Sequence, residues 1–118
     1  MDRAAFRRHA LSLPDAEEVE TWGTPTFRVH GKIFAMAGTD LSTASVKTGL
    51  DEQAALTSAR PDVYSVAPYV GRFGWVAVDV RAADPGELRD LLTEAWRRTA
   101  PRRLVAAFDA EAARRDAL

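Results

Sequence analysis

The hexapeptide WVAVDV, Trp75 to Val80, constrains the fold more than any other stretch. Val76, Val78 and Val80 alternate with other residues at the period of two that marks a β-strand with one buried face. Four residues later Asp84, Pro85 and Glu87 supply a capping carboxylate, a first-turn proline and a first-turn acid, the signals that open a helix. Leu88, Leu91, Leu92, Ala95, Trp96 and Thr99 then recur on one side of that helix, and Pro101 stops it. A strand with one apolar face followed at once by a helix with one apolar stripe implies a sheet covered by helices.

The rest of the chain extends the pattern. Asp2 to Leu11 reads as a short helix with Phe6 and Ala10 inward, stopped by Pro14, and Glu17 to Trp22 reads as a strand. Phe27-Arg28-Val29 and Ile33-Phe34-Ala35 are β-prone runs around His30-Gly31, which suits a two-residue primed turn. That turn would pair Val29 with Lys32, Arg28 with Ile33 and Phe27 with Phe34. It would place Phe27, Val29, Phe34 and Met36 on the core face, and Thr26, Arg28, Ile33 and Ala35 on the other. A turn at Gly38-Thr39-Asp40, a strand from Thr43 to Lys47 with Ala44 and Val46 inward, and a helix from a cap at Asp51 to about Ala59 follow. YSVAPYVGRFG reads as a connection. A final helix carries Leu104, Val105, Phe108 and Ala112 on one side, and its end, ARRDAL, is expected to fray. The fold class is therefore α+β, an antiparallel sheet packed on one face by helices in a single pair of layers.

At 118 residues the chain suits one domain spanning 1–118, which would hide roughly two thirds of its unfolded surface. It lacks cysteine, which excludes disulfides and thiolate metal sites. No run approaches the ~18 apolar residues of a membrane span, and the N-terminus has no apolar leader, so a cytoplasmic protein without membrane contact is expected. Sixteen basic residues face seventeen acidic ones, so any nucleic-acid binding must use a local basic patch rather than a general field.

LPDAEEVETWGTPTFRVHGKIFA, VKTGLDEQAAL, APYVGRFGWVAVDV and ELRDLLTEAWRRTAPRRLVAAF, in that order and spacing, resemble the MmcQ/YjbR family over nearly the whole chain. The resemblance implies a fold similar to the frataxin-like CyaY proteins, a double-wing arrangement, and a DNA-binding label that rests on fold alone. This chain departs from the family in carrying Ala95-Trp96 where the closing helix often has Ser-Tyr, which removes two hydroxyls.

His9 and His30 stand in no metal spacing, and the acids of DAEEVE, Asp15, Glu17, Glu18 and Glu20, suit a charged strand edge that discourages aggregation; no metal or cofactor is expected. The loop YVGRFGW offers either Tyr69, Arg72, Phe73 and Trp75 as stacking surfaces and a planar cation, or a glycine-bounded turn whose aromatics plug the core. RRTAPRR places Arg97, Arg98, Arg102 and Arg103 within seven residues. Arg97 and Arg98 are explained by the dipole at a helix C-terminus, whereas Arg102 and Arg103 open a helix, where positive charge is disfavoured unless an anion or nearby acids offset it. The four are expected to form one positive surface.

No nucleophile stands with a base, and no phosphate-cradling Gly-Lys-Ser/Thr loop occurs, so no enzymatic activity is read. The leading reading is DNA binding, double- or single-stranded, directed at the phosphate backbone through Arg28, Lys32, Lys47, Tyr69, Arg72, Trp75, Arg97, Arg98, Arg102 and Arg103. Asn is absent and Gln53 is the only side-chain amide, a poor endowment for reading base edges. The alternatives are a protein-interaction or chaperone-like module using an exposed sheet face, and a small-ligand pocket under Trp22, Phe73 and Trp75.

Overall fold

The computed structural model describes residues 1–38, 40 and 42–117. Its order is α1 (Arg3–Ser12), β1 (Ala16–Thr21), β2 (Thr24–Val29), β3 (Lys32–Ala37), β4 (Thr43–Lys47), α2 (Leu50–Ala59), β5 (Tyr64–Val66), a 3-10 turn (Gly71–Phe73), β6 (Trp75–Asp79), α3 (Pro85–Thr99) and α4 (Arg102–Asp116). All six strands form one antiparallel sheet in the order β1-β2-β3-β4-β6-β5. The expected α+β architecture is present, and no described helix is long and apolar enough to cross a membrane.

The strongest sequence signals became the centre of the molecule. Val76 and Val78 of β6 and Val80 just beyond it are buried, and Leu88, Leu91, Leu92, Ala95 and Trp96 of α3 are buried in the same core. Asp84 caps α3 by accepting a hydrogen bond from the Glu87 amide. Ala44 and Val46 point into this core from β4, and Leu104, Val105 and Phe108 of α4 pack against it half-buried. Trp96 is closed over by the Phe108 ring, with centroids 5.0 Å apart, and its indole N–H donates to the Pro14 carbonyl at 2.9 Å. That bond satisfies the one polar atom of a buried tryptophan.

Several local expectations are corrected. The primed turn at His30-Gly31 pairs Val29 with Lys32 and Arg28 with Ile33, but Phe27 lies opposite Ala35, not Phe34. Phe34 is the extra residue of a β-bulge, and a bulge inverts the alternation beyond it. Ala35 therefore joins Phe34 in the main core, whereas Met36 packs with Ile33 on the opposite face. Trp22 falls outside β1, in a turn with φ +54. Helix α2 begins at Leu50 with Gly49, not Asp51, at the cap, and the YSVAPYVGRFG connection contains the edge strand β5. Helix α4 continues to Asp116 where fraying was expected. The turn expected at Gly38-Thr39-Asp40 includes Thr39, which lies outside the described residues.

The sheet thus has two unlike faces. One is covered by α1 and α3. The other carries a small cluster of Ala67, Trp75 and Ala77 with Ile33, Met36 and Val70, to which the β5–β6 connection contributes Ala67 and Val70.

Candidate nucleic-acid interface

The β2–β3 turn and the start of α4 meet at one end of the molecule. His30 and Gly31 hold φ of +49 and +81, and the His30 Nε2 lies 2.8 Å from Asp15 Oδ2, just ahead of β1. Arg28, on the face away from the main core, donates to Thr26 Oγ1 at 3.1 Å, Thr21 Oγ1 at 3.0 Å and the Gly31 carbonyl at 3.4 Å. These acceptors are neutral, so its charge is oriented without being cancelled. Lys32, next to the turn, is exposed.

Helix α4 starts at Arg102 after Pro101 at the cap position, with no side-chain cap and no acid in its first turn. Its first amide N–H groups therefore lack the carboxylate or hydroxyl that usually satisfies them. Arg102 and Arg103 are exposed, and among the described residues neither forms an ion pair. A cleft of about 530 Å³ opens here between Asp15 and His30 on one side and Pro101, Arg103, Leu104 and Ala107 on the other.

The expected continuous patch over RRTAPRR divides into two unlike halves. Arg97 is held by Glu94 at 2.9 Å and by Asp109 of α4 at 2.8 Å, and Arg98 by Glu52 of α2 at 2.8 Å. Carboxylates from three helices neutralise this pair and tie the helices together, which leaves the positive surface to Arg102 and Arg103.

Lys47, Tyr69, Arg72 and Trp75 gather elsewhere, around the β5–β6 connection. Trp75 is opposite Lys47 in the register but only 7% exposed, so the structure places its ring in the second cluster and not on a stacking surface. The glycines of this loop have packing reasons. A Cβ on Gly74 (φ +93) would stand 2.6 Å from the Thr48 carbonyl, and one on Gly71 2.2 Å from a Val66 methyl. Gln53 of α2 donates from Nε2 to the carbonyls of Gly71 and Trp75, which removes the chain's one amide side chain from any base edge. Arg72 lies 4.8 Å over the Phe73 ring. Tyr69 is 97% exposed and Phe73 is exposed as well, with Arg72 over one face of its ring, so the loop is a glycine-built turn with two aromatic rings in solvent.

Of the residues expected to roof a small-ligand pocket, Trp22 and Phe73 are exposed and Trp75 is packed in the second cluster; a trough on the same sheet face is lined by Met36, Ser45, Tyr69 and Ala77 among others. Asp15 and Glu18 of the acidic stretch pair with His30 and Arg7. Sequence reasoning did not find the Asp15–His30 pair, because the two residues are brought together only by the β1–β2 hairpin.

A model of the YjbR family matches residues 11–98. The chain belongs to the YjbR family. Its fold is similar to the crystal structure of Deinococcus radiodurans protein DR2400, which carries the domain DUF419. The TM-score is 0.71 at 20% identity, over 77% of this chain and 72% of that one. No curated protein matches. The YjbR match ends at Arg98, so Arg102, Arg103 and the rest of α4 lie beyond the matched residues and extend the YjbR region on its helix-covered side.

Proposed function

We propose that this YjbR protein binds DNA through the phosphate backbone, at the cleft between the β2–β3 turn and the start of α4. The observation that carries the reading is the pairing of an uncapped helix start, bearing Arg102 and Arg103, with the turn that carries Arg28, His30 and Lys32. Amide N–H groups at a helix start and arginine forks both suit phosphate oxygens. Such contacts position a duplex or a single strand without reading its sequence, in keeping with the engagement of Gln53 inside the fold.

The test is fluorescence anisotropy with labelled duplex and single-stranded oligonucleotides over a salt series. The logarithm of affinity falls with log salt at a slope of about −0.9 per phosphate neutralised. Replacing Arg102 and Arg103 together by Ala makes the slope shallower by up to about two units and weakens all sequences alike. The same change at Arg97 and Arg98, whose charges carboxylates already offset, leaves the slope near its original value. Absence of salt-sensitive binding at micromolar protein rejects the reading.

A second reading, a protein-interaction module, draws on a different observation. Leu50, Val66, Tyr69 and Phe73 are exposed large apolar side chains near the edge strand β5 and the connection that follows it. Concentration-dependent self-association, or capture of a partner that is lost on Phe73→Ser, would favour it.

A further inference from the structure

The sheet face without helices holds a trough of about 310 Å³, on the far side of the sheet from the α4 start. Its floor follows from the register. Met36, Ser45 and Ala77 stand side by side on β3, β4 and β6, and the two small side chains next to the long one leave a hollow that the helix-covered face fills with valines. The floor is apolar at Met36 and Ala77 and carries one hydroxyl at Ser45.

The rim has two distinctive groups. Tyr69 holds φ +66, a conformation in which a bulky aromatic residue is an outlier, and its ring is almost entirely in solvent although it borders the trough. Asp40 is the one ionisable side chain other than that phenol among the described lining residues. Its carboxylate accepts the Ser42 amide at 2.8 Å, the Ser42 hydroxyl at 2.9 Å and the Thr43 hydroxyl at 3.2 Å. The Ser42 amide above all, and then the two hydroxyls, hold it below the usual carboxylate range, so the negative charge persists at neutral pH. Among the described residues no cation lines the trough.

We propose that this trough is a binding site for a small ammonium-bearing compound with a flat apolar body. The body lies on Met36 and Ala77 under the Tyr69 ring, and the ammonium meets Asp40. An aromatic ring and a carboxylate at one mouth attract a cation by complementary routes, the ring through its quadrupole and the carboxylate through its charge. The volume lies at the lower end of the range for small-molecule pockets. Anionic ligands and phosphate are disfavoured here, so the site is separate from the DNA interface proposed above and stands or falls without it.

The experiment is an NMR titration of the full chain with three probes of one shape: 2-phenylethylammonium, the neutral 2-phenylethanol and the anionic 3-phenylpropionate. The ammonium is expected to shift the amides of Ser45, Tyr69 and Ala77 and to bind about tenfold more tightly than the alcohol. Asp40→Asn, which keeps an acceptor for Ser42, should erase that difference. Tyr69→Gly provides a check independent of folding defects: glycine adopts the positive φ without strain, so this variant should melt at a higher temperature yet bind the ammonium more weakly. Equal binding of ammonium and alcohol, shifts centred on the acids of β1, or full binding by either variant would each overturn the proposal.

Discussion

The Gln53 side-chain nitrogen lies 2.8 Å from the carbonyl oxygen of Trp75 and 2.7 Å from that of Gly71. One amide on α2 thus holds the start of the 3-10 turn and the first residue of β6. Each carbonyl has a second donor, the Ala67 amide for Trp75 and the Gly74 amide for Gly71. Replacing Gln53 by Leu should therefore cost only about 1 kcal/mol, the lower part of the range for an acceptor that loses a buried partner. Gln53→Glu should cost more, because it aims a carboxylate at two carbonyl oxygens. Urea denaturation of the two variants checks the order.

Gly74 and Gly31 share a positive φ but differ in surroundings. A Cβ on Gly31 meets nothing within 4 Å, whereas one on Gly74 stands 2.6 Å from the Thr48 carbonyl. Gly31→Ala is expected to cost about 1 to 2 kcal/mol of backbone strain alone. Gly74→Ala should exceed it clearly, since the β4–α2 backbone must move. Equal melting temperatures for the two variants would contradict the close approach.

Leu92 is fully buried and Leu104 only half-buried. Leu92→Ala should destabilise by about 2 to 5 kcal/mol, and Leu104→Ala by distinctly less, because water already reaches part of that side chain. A loss at Leu92 no larger than at Leu104, measured by chemical denaturation, would mean that the core is centred elsewhere.

His9 gives a pH dependence. Its ring is half-buried beside Thr93, Arg89 and Asp90, and burial is the main cause holding its pKa below 6.5. The folded state therefore resists the charged ring more than the unfolded state does. The resulting stabilisation is complete above about pH 6.5 and is lost as pH falls through the lowered folded value. Melting temperatures of the native protein should drop more steeply below pH 6.5 than those of His9→Gln. Parallel profiles would refute the assignment.

The elements that periodicity and capping encode were legible in the chain. Val76 and Val78, the Asp84 cap, the α3 stripe and the His30-Gly31 turn each depend on residues within a few positions of one another. The availability of the charges was not legible in the same way. Arg98 meets Glu52 from 46 residues away, and Arg97 meets Asp109 across a helix junction, so packing alone decided that these cations are spoken for while Arg102 and Arg103 are not. The Phe34 bulge, the burial of Trp75 and the trough beneath Tyr69 likewise depend on which strands lie side by side. Local preferences act over a turn or a pair of residues and survive in the sequence as patterns. Neutralisation, burial and cavities depend on distances between remote segments, which only the folded chain sets.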